Sequence, residues 1–196
     1  HMSEYLSHLP NQFVNWGVVN GAKIPVSPTG QTINAMDPAN WINYASAKAS
    51  EFGEAFVLSG TDPWWFLDLD KCLDPATGQL SPEAYSIFNN FQGALYEVSQ
   101  SGTGIHIIGK CNPAVFQMKK NRWDGWKEFY VQDRFIAFGS TGWQPIGGTW
   151  NPERDWTDDL LTILPDREFD PTAPLPDGRD PEWDGPEDDD VLIERM

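Results

Sequence analysis

Cysteine is scarce in this sequence, and so are histidine and positive charge. The two cysteines, Cys72 and Cys111, lack the paired spacing of a zinc site, so we expect free thiols in a reducing compartment. No apolar run is long enough to cross a bilayer. We therefore expect a cytoplasmic protein with no membrane partner.

Basic residues are outnumbered, with 13 Lys and Arg against 29 Asp and Glu, for a net charge of −16. Such a balance is unusual for a protein that handles nucleic acid. The acids are unevenly placed, since residues 151–196 hold 16 of them and only 4 of the bases. Six bases lie in one stretch, which is either a solvated loop or a phosphate-binding patch: Lys110, Lys119, Lys120, Arg122, Lys127 and Arg134.

Helix signals divide the chain into one α/β domain and a tail. Asp37 as N-cap and Pro38 as first residue predict a helix that ends near Gly53. Ser81-Pro82 predicts a second helix, with helical apolar spacing to about Val98. We expect the domain to cover residues 1–165. Residues 166–196, rich in Pro, Asp and Glu, are predicted to be a disordered tail or linker.

The strand signals predict a mixed sheet. Short apolar runs at 55–58, 64–69 and 105–109 are typical of buried strands. Strand, helix and strand of this length predict a parallel pair with a right-handed crossover. Residues 128–131 and 134–138 are predicted to form a hairpin.

The most informative pattern is a pair of acids on the second strand. Because side chains alternate, Asp68 and Asp70 are predicted to share one face with Phe66, about 6–7 Å apart. Two carboxylates so placed are suited to Mg²⁺ or Mn²⁺. The alternative is two surface aspartates at the end of a strand.

Small residues then precede a histidine in Ser101-Gly102-Thr103-Gly104-Ile105-His106. Such a turn exposes backbone amides that can approach phosphate oxygens. His106 and Lys110 are predicted on one strand face, where they would suit a polyphosphate. The alternative is a tight turn followed by a core histidine.

A third acid lies on the predicted hairpin. Glu128 begins a strand that would complete a three-carboxylate site if it adjoins the strand of Asp68. Arg134 begins the returning strand and is a candidate for phosphate binding.

These motifs, in this order, resemble the archaeo-eukaryotic primase superfamily, and in particular the primase-polymerase (PrimPol) domains of bacteriophages and plasmids. Asp68 and Asp70 match its two acids, Gly104-Ile105-His106 its small residue and histidine, and Glu128 its later acid. The resemblance covers roughly residues 10–150 and implies an RRM-like mixed-sheet catalytic core beside an N-terminal α/β unit.

The resemblance also implies an activity: template-directed synthesis from dNTPs or NTPs on a DNA template and primer, with two Mg²⁺ or Mn²⁺ ions. The metal ligands would be Asp68, Asp70 and Glu128, with His106 as a further catalytic residue. Nucleotide binding would involve Ser101, Gly102, Thr103, Gly104, His106, Lys110 and Arg134. Nucleic-acid binding would involve Lys119, Lys120, Arg122 and Lys127. In the longer protein we expect a C-terminal helicase domain, acting in the host cytoplasm if the source is viral.

Three other functions remain open. A glycosyltransferase would use Asp68 and Asp70 to hold a metal and a sugar nucleotide. A nuclease would use the same carboxylates. A non-catalytic single-stranded DNA-binding module would use Trp and Lys without a metal.

Overall fold

A computed structural model describes residues 5–168 of the chain. The strands are β1 (Phe13–Val19), β2 (Ala22–Val26), β3 (Gly53–Ser59), β4 (Trp64–Leu69), β5 (Leu73–Asp74), β6 (Gln79–Leu80), β7 (Leu95–Val98), β8 (Ile105–Lys110), β9 (Arg122–Trp123), β10 (Lys127–Tyr130), β11 (Gln132–Ala137) and β12 (Gln144–Pro145). The helices are α1 (Tyr44–Ala49), α2 (Pro82–Asn89) and α3 (Thr157–Ile163), with 3₁₀ turns at Pro38–Asn40, Pro113–Phe116 and Ile146–Gly148. Among residues 5–168, none of the helices has the length and hydrophobicity of a transmembrane span.

The first sheet has the order β11-β3-β1-β2, and all its pairs are antiparallel. Asn20 and Gly21 both have positive φ, as a two-residue hairpin turn between β1 and β2 requires. Together with α1, this sheet forms an α/β unit that is N-terminal except for its edge strand β11, which comes from residues 132–137.

The first predicted helix is wrong in its extent. Asp37 caps as expected, because its side chain accepts from the Ala39 amide, but the 3₁₀ turn stops at Asn40. Ile42 then exchanges two backbone hydrogen bonds with Phe13, and α1 starts only after a second cap. The bridge to Phe13 satisfies backbone groups that a continuous helix would have bonded internally.

The second sheet has the order β12-β7-β8-β4-β10-β9. Strands β4 and β7 run parallel on either side of β8, which is antiparallel to both. With α2 between β4 and β7, this is a split β-α-β unit. The fold is mixed α/β, as expected, and its β-α-β-β run agrees with an RRM-like core.

The predicted parallel pair of β4 and the strand at 105–109 is wrong, because these strands are antiparallel. The helix ends at Asn89, and Leu95–Val98, predicted as its last turn, forms β7 instead. Gly93, with a φ of +102°, reverses the chain between them.

The predicted hairpin at 128–138 is also wrong. Both strands exist, but β10 pairs with β4 in the second sheet and β11 pairs with β3 in the first. The chain changes sheet at Val131, and Asp133, with a φ of +56°, lies at a register shift. Gln132 pairs with Ser59, the last residue of β3, so this connection begins next to the passage from β3 to β4 through residues 60–63.

Two hydrophobic cores result. One joins the first sheet to the near face of the second, and includes Phe56, Phe66 and Phe135. The other joins the far face of the second sheet to the helices, and includes Trp65, Ala84 and Leu160. All six residues of β4 are buried because this strand is covered on both faces.

The predicted tail lies almost wholly outside the described residues. Its first described residues contact the domain: Asp166 accepts from Lys119 Nζ at 2.7 Å, and Arg167 donates to the Lys119 carbonyl. The boundary at residue 165 and the disorder of the tail stay predictions.

Candidate active site

A row of ionisable residues crosses the second sheet from β7 to β9. In register, Glu97 lies opposite His106, His106 opposite Asp68, Asp68 opposite Glu128, and Glu128 opposite Arg122. We call these five residues the transverse row. Directly opposed residues project from the same face, with Cβ atoms about 5 Å apart. Three acids, a histidine and an arginine from distant parts of the chain thus form one continuous line.

The two acids of the first motif occupy different environments. Asp68 is only 2% exposed and lies in the middle of the row, on the face of β4 that carries Phe66. Asp70 follows the end of β4 and is half-buried. Its amide donates to the Trp126 carbonyl, and its Oδ1 accepts from the Lys71 amide at 2.9 Å. Asp70 therefore adds a carboxylate beyond the end of β4. We call Asp68, Asp70 and Glu128 together the acidic site.

His106 is fully buried between two carboxylates. Its Nδ1 lies 2.8 Å from Glu97 Oε2, and its Nε2 lies 3.8 Å from Asp68 Oδ1. Phe66 makes an edge contact with the imidazole, and Trp143 lies on it with centroids 6.5 Å apart. These contacts define both the position and the plane of the ring.

Glu128 contacts Arg122 and Tyr130, and Tyr130 in turn contacts Arg134. Its Oε1 accepts from the Tyr130 hydroxyl at 2.6 Å and lies 3.2 Å from Arg122 Nε. The Arg134 guanidinium stacks 4.5 Å above the Tyr130 ring. Burial raises the pKa of Tyr130, and the Glu128 charge raises it further, so the phenol stays protonated and donates to Glu128.

The Gly-rich segment forms the β7–β8 turn beside Asp70. Ser101 and Thr103 share a hydroxyl contact of 2.9 Å, and the Cys72 amide donates to the Thr103 carbonyl. A Cβ on Gly104 would lie 2.7 Å from the Leu69 carbonyl oxygen, so only glycine lets β8 begin this close to the end of β4. The turn predicted to bind phosphate is thereby placed next to the acidic site.

Lys110 is not brought to this site. It lies four residues beyond His106 on β8, about 13 Å away along the strand. Its Nζ is 3.4 Å from Glu153 Oε1 and lies over the Trp64 ring.

The four residues predicted to bind nucleic acid do not share a surface. Arg122 belongs to the transverse row, whereas Lys127 lies on the opposite face of β10 and is 7% exposed. Burial lowers the pKa of Lys127, but its bonds to Asp124 and Glu83 outweigh this, so its pKa is raised. Lys119 is held by Asp166, and the Lys120 amide donates to the Pro165 carbonyl.

Comparison with known proteins agrees with the motif resemblance. No family model matches the chain. The chain is similar to a phage DNA primase-polymerase. The relative comes from Nitratiruptor phage NrS-1 and is 32% identical over 134 residues. The match covers 64% of this chain and 18% of the phage protein, so the chain spans about a fifth of that relative's length.

The donor chemistry of the acids fits a hard divalent cation. Asp68 and Glu128 are directly opposed, and Asp70 lies two residues further along the same chain segment. Carboxylate oxygens are the ligands that Mg²⁺ and Mn²⁺ prefer. Within residues 5–168, no three His, Cys, Asp or Glu side chains already cluster as a metal-binding group.

Three residues of the site are not predicted from the sequence: Glu97, Tyr130 and Gly139, whose amide donates to Glu97 Oε2 at 2.9 Å. Apolar spacing places Glu97 in a helix, whereas in the strand Leu95 and Glu97 share a face. Neither Tyr130 nor Gly139 belongs to the three predicted motifs. Gly93 is the one sequence signal that could have ended the helix before Glu97.

Proposed function

We propose that this chain is the catalytic domain of a template-directed DNA primase-polymerase, a nucleotidyltransferase of phage or plasmid DNA replication. The transverse row carries this proposal, because it aligns two predicted metal-binding acids with the histidine of the second motif. The similarity to the phage primase-polymerase supports the same activity.

Asp68, Asp70 and Glu128 are the residues that would hold the divalent ions. Such ions supply charge neutralisation for the leaving pyrophosphate and lower the pKa of the attacking 3′-hydroxyl. Tyr130 and Arg122 orient the Glu128 carboxylate by hydrogen bond and ion pair. Asp68 is held rigidly, because its strand is buried on both faces.

The triphosphate is proposed to lie between His106 and the β7–β8 turn. His106 offers a ring nitrogen on the Asp68 side, and Gly102, with a φ of +80°, shapes a turn rich in hydroxyls and amides. Arg134 lies next to the site because its guanidinium stacks on the Tyr130 ring. DNA is proposed to pass along the β9 edge, near Arg122 and Lys120.

A primer-extension assay with four dNTPs and Mg²⁺ or Mn²⁺, beside a primer-free template, tests the proposal. Asp70→Ala should reduce extension at least about 100-fold while the protein stays folded, because within residues 5–168 the side chain makes only a local bond to the next amide. Asp74→Ala is the matched control, since Asp74 also accepts a local backbone amide, that of Ala76, and belongs to the separate β5–β6 pair. That control should extend normally.

Each outcome has a definite meaning. Extension with new primer-free products supports primase-polymerase activity, and extension alone supports a polymerase. Sugar transfer from sugar nucleotides would support the glycosyltransferase, and loss of labelled DNA without nucleotides the nuclease. Metal-independent DNA binding with no extension, unchanged in Asp70→Ala, would support a binding module.

A further inference from the structure

Residues 165–167, which span the predicted boundary between domain and tail, form an extended segment along residues 118–121. We call residues 165–167 the strap. Two backbone hydrogen bonds join the strap to residues 118–121, from the Lys120 amide to the Pro165 carbonyl and from the Arg167 amide to the Met118 carbonyl. The strap therefore lies against the segment that leads into β9.

Arg167 is half-buried on the strap, and neutral groups hold its guanidinium. Its Nε donates to the Lys119 carbonyl at 2.9 Å, and its Nη2 donates to Asn121 Oδ1 at 2.7 Å. Asn121 is itself fixed, because its Nδ2 donates to the Phe129 carbonyl. Within residues 5–168, Arg167 has no carboxylate partner, so its positive charge is not neutralised.

Two neighbouring cations differ from Arg167 in this respect. Lys119 Nζ lies 2.7 Å from Asp166 Oδ1, and Arg122 Nε lies 3.2 Å from Glu128 Oε1. A guanidinium that neutral groups hold in place keeps its full charge and loses little side-chain freedom when it binds an anion. Its remaining N–H groups are suited to the oxygens of a phosphate.

The position of Arg167 indicates a nucleic-acid strand rather than a single nucleotide. Asn121, which holds it, directly precedes Arg122 of the transverse row, at the β9 edge of the second sheet. The triphosphate is proposed to lie at the β7–β8 turn, and β9 is three strands beyond β8, about 14 Å away. A DNA strand carries a phosphate on every nucleotide, so it can place one at each location.

We propose that Arg167 is a phosphate-binding residue for the DNA strand, presented by the strap at the β9 edge. It supplies there the positive charge that Lys119, paired with Asp166, does not. The proposal rests on the proposed function for the identity of DNA as the ligand. The contacts that fix Arg167 do not depend on that function.

A pair of arginine variants separates an unneutralised charge from a paired one. Arg167→Gln removes the charge and keeps a polar side chain. Arg154→Gln is the matched control, because the Arg154 guanidinium already pairs with Asp159 at 3.3 Å. Fluorescence anisotropy of the full chain with a labelled single-stranded oligonucleotide, over about 50–300 mM salt, gives the binding constant and its salt dependence. Circular dichroism checks that each variant is folded.

We expect Arg167→Gln to weaken oligonucleotide binding about three- to tenfold at about 50 mM salt. The slope of log K against log[salt] should become shallower by about 0.7, the change for one phosphate contact with a single strand. Arg154→Gln should alter neither quantity. Asn121→Asp keeps Arg167 but gives it a carboxylate partner, so it should reproduce the shallower slope even if Arg167→Gln does not fold.

Unchanged affinity and slope in Arg167→Gln would overturn the proposal, and so would equal losses in Arg154→Gln. A higher KM for dNTP with unchanged oligonucleotide binding would also overturn it, because the anion bound by Arg167 would then be the nucleotide. A failure of the proposed function looks different: the wild-type protein extends no primer, while its DNA affinity still falls in Arg167→Gln.

Discussion

At the scale of the residue, Asp68 and Asp70 differ in what their substitution would report. Asp68 is buried in the central strand of the second sheet, so a change there disturbs folding and the site together. Asp70 lies beyond the strand end, and its side chain, among the described contacts, accepts only from the Lys71 amide. The loss of such an exposed bond costs about 1 kcal/mol. Asp70 is therefore the cleaner probe of the acidic site.

The two thiols provide a prediction at the same scale. Both are free and buried, as expected from their spacing. Burial, with a contribution from Asp70, raises the pKa of Cys72 to about 11, and burial raises that of Cys111 to about 12. Since the thiolate is the reactive form, alkylation by iodoacetamide at pH 8 should be about 100-fold slower than in urea for Cys72 and about 1,000-fold slower for Cys111. The native rate should rise about tenfold per pH unit.

Mass spectrometry of samples quenched over time measures both rates. Because their pKa values are raised, the native thiols are almost wholly protonated at pH 8. The fraction of thiolate therefore increases only when the pH rises. Equal alkylation rates in native and urea-unfolded protein would contradict the burial of the two thiols.

At the scale of the element, the start of β8 depends on a single glycine. Gly104→Ala should destabilise the protein by about 1–3 kcal/mol, because the new Cβ would clash with the backbone at the end of β4. It should also reduce extension, since the β7–β8 turn would move away from Asp70. Urea unfolding followed by fluorescence measures the first effect.

Gly17→Ala is the matched control for this substitution. Gly17 is also a strand glycine, but its nearest neighbour is the Phe52 side chain at 3.6 Å, an ordinary contact distance. We expect a change of less than about 1 kcal/mol there. Equal losses at both positions would show that the close approach of β8 to β4 is not the cause.

Element boundaries explain why the site was only partly predicted. The continuous apolar runs around Asp68 and His106 predict buried strands, and both residues lie in strands. Glu97 is not predicted in the site, because the four residues Leu95–Val98 fit both a helix and a strand. The secondary structure of so short a segment depends on the strands beside it. Here β8 and β12 pair with Leu95–Val98 and make it a strand.

At the scale of the whole molecule, charge distribution predicts how DNA binding responds to salt. Residues 169–196 contain ten acids and two bases. Removing them should tighten binding of single-stranded DNA several-fold at about 50 mM salt, because repulsion of the phosphates is relieved. At about 0.5 M salt the difference should vanish through screening.

Fluorescence anisotropy with a labelled oligonucleotide measures this effect. A version in which residues 169–196 are replaced by a Gly-Ser segment of equal length separates charge from length. Binding that is equally tight with and without the acidic segment at low salt would rule out electrostatic repulsion by it.

The kinds of residues and much of their local setting can be predicted from the sequence: Asp68 on a buried strand, with Asp70 just beyond its end, a Gly-rich turn before a histidine, and a later acid on another strand. Local periodicity and turn chemistry suffice for that. Which strands are neighbours, and in what register, follows from the folded chain alone. Register follows from backbone pairing between distant segments and from the packing of two cores, so the transverse row, with Glu97 behind His106, emerges only in the folded chain.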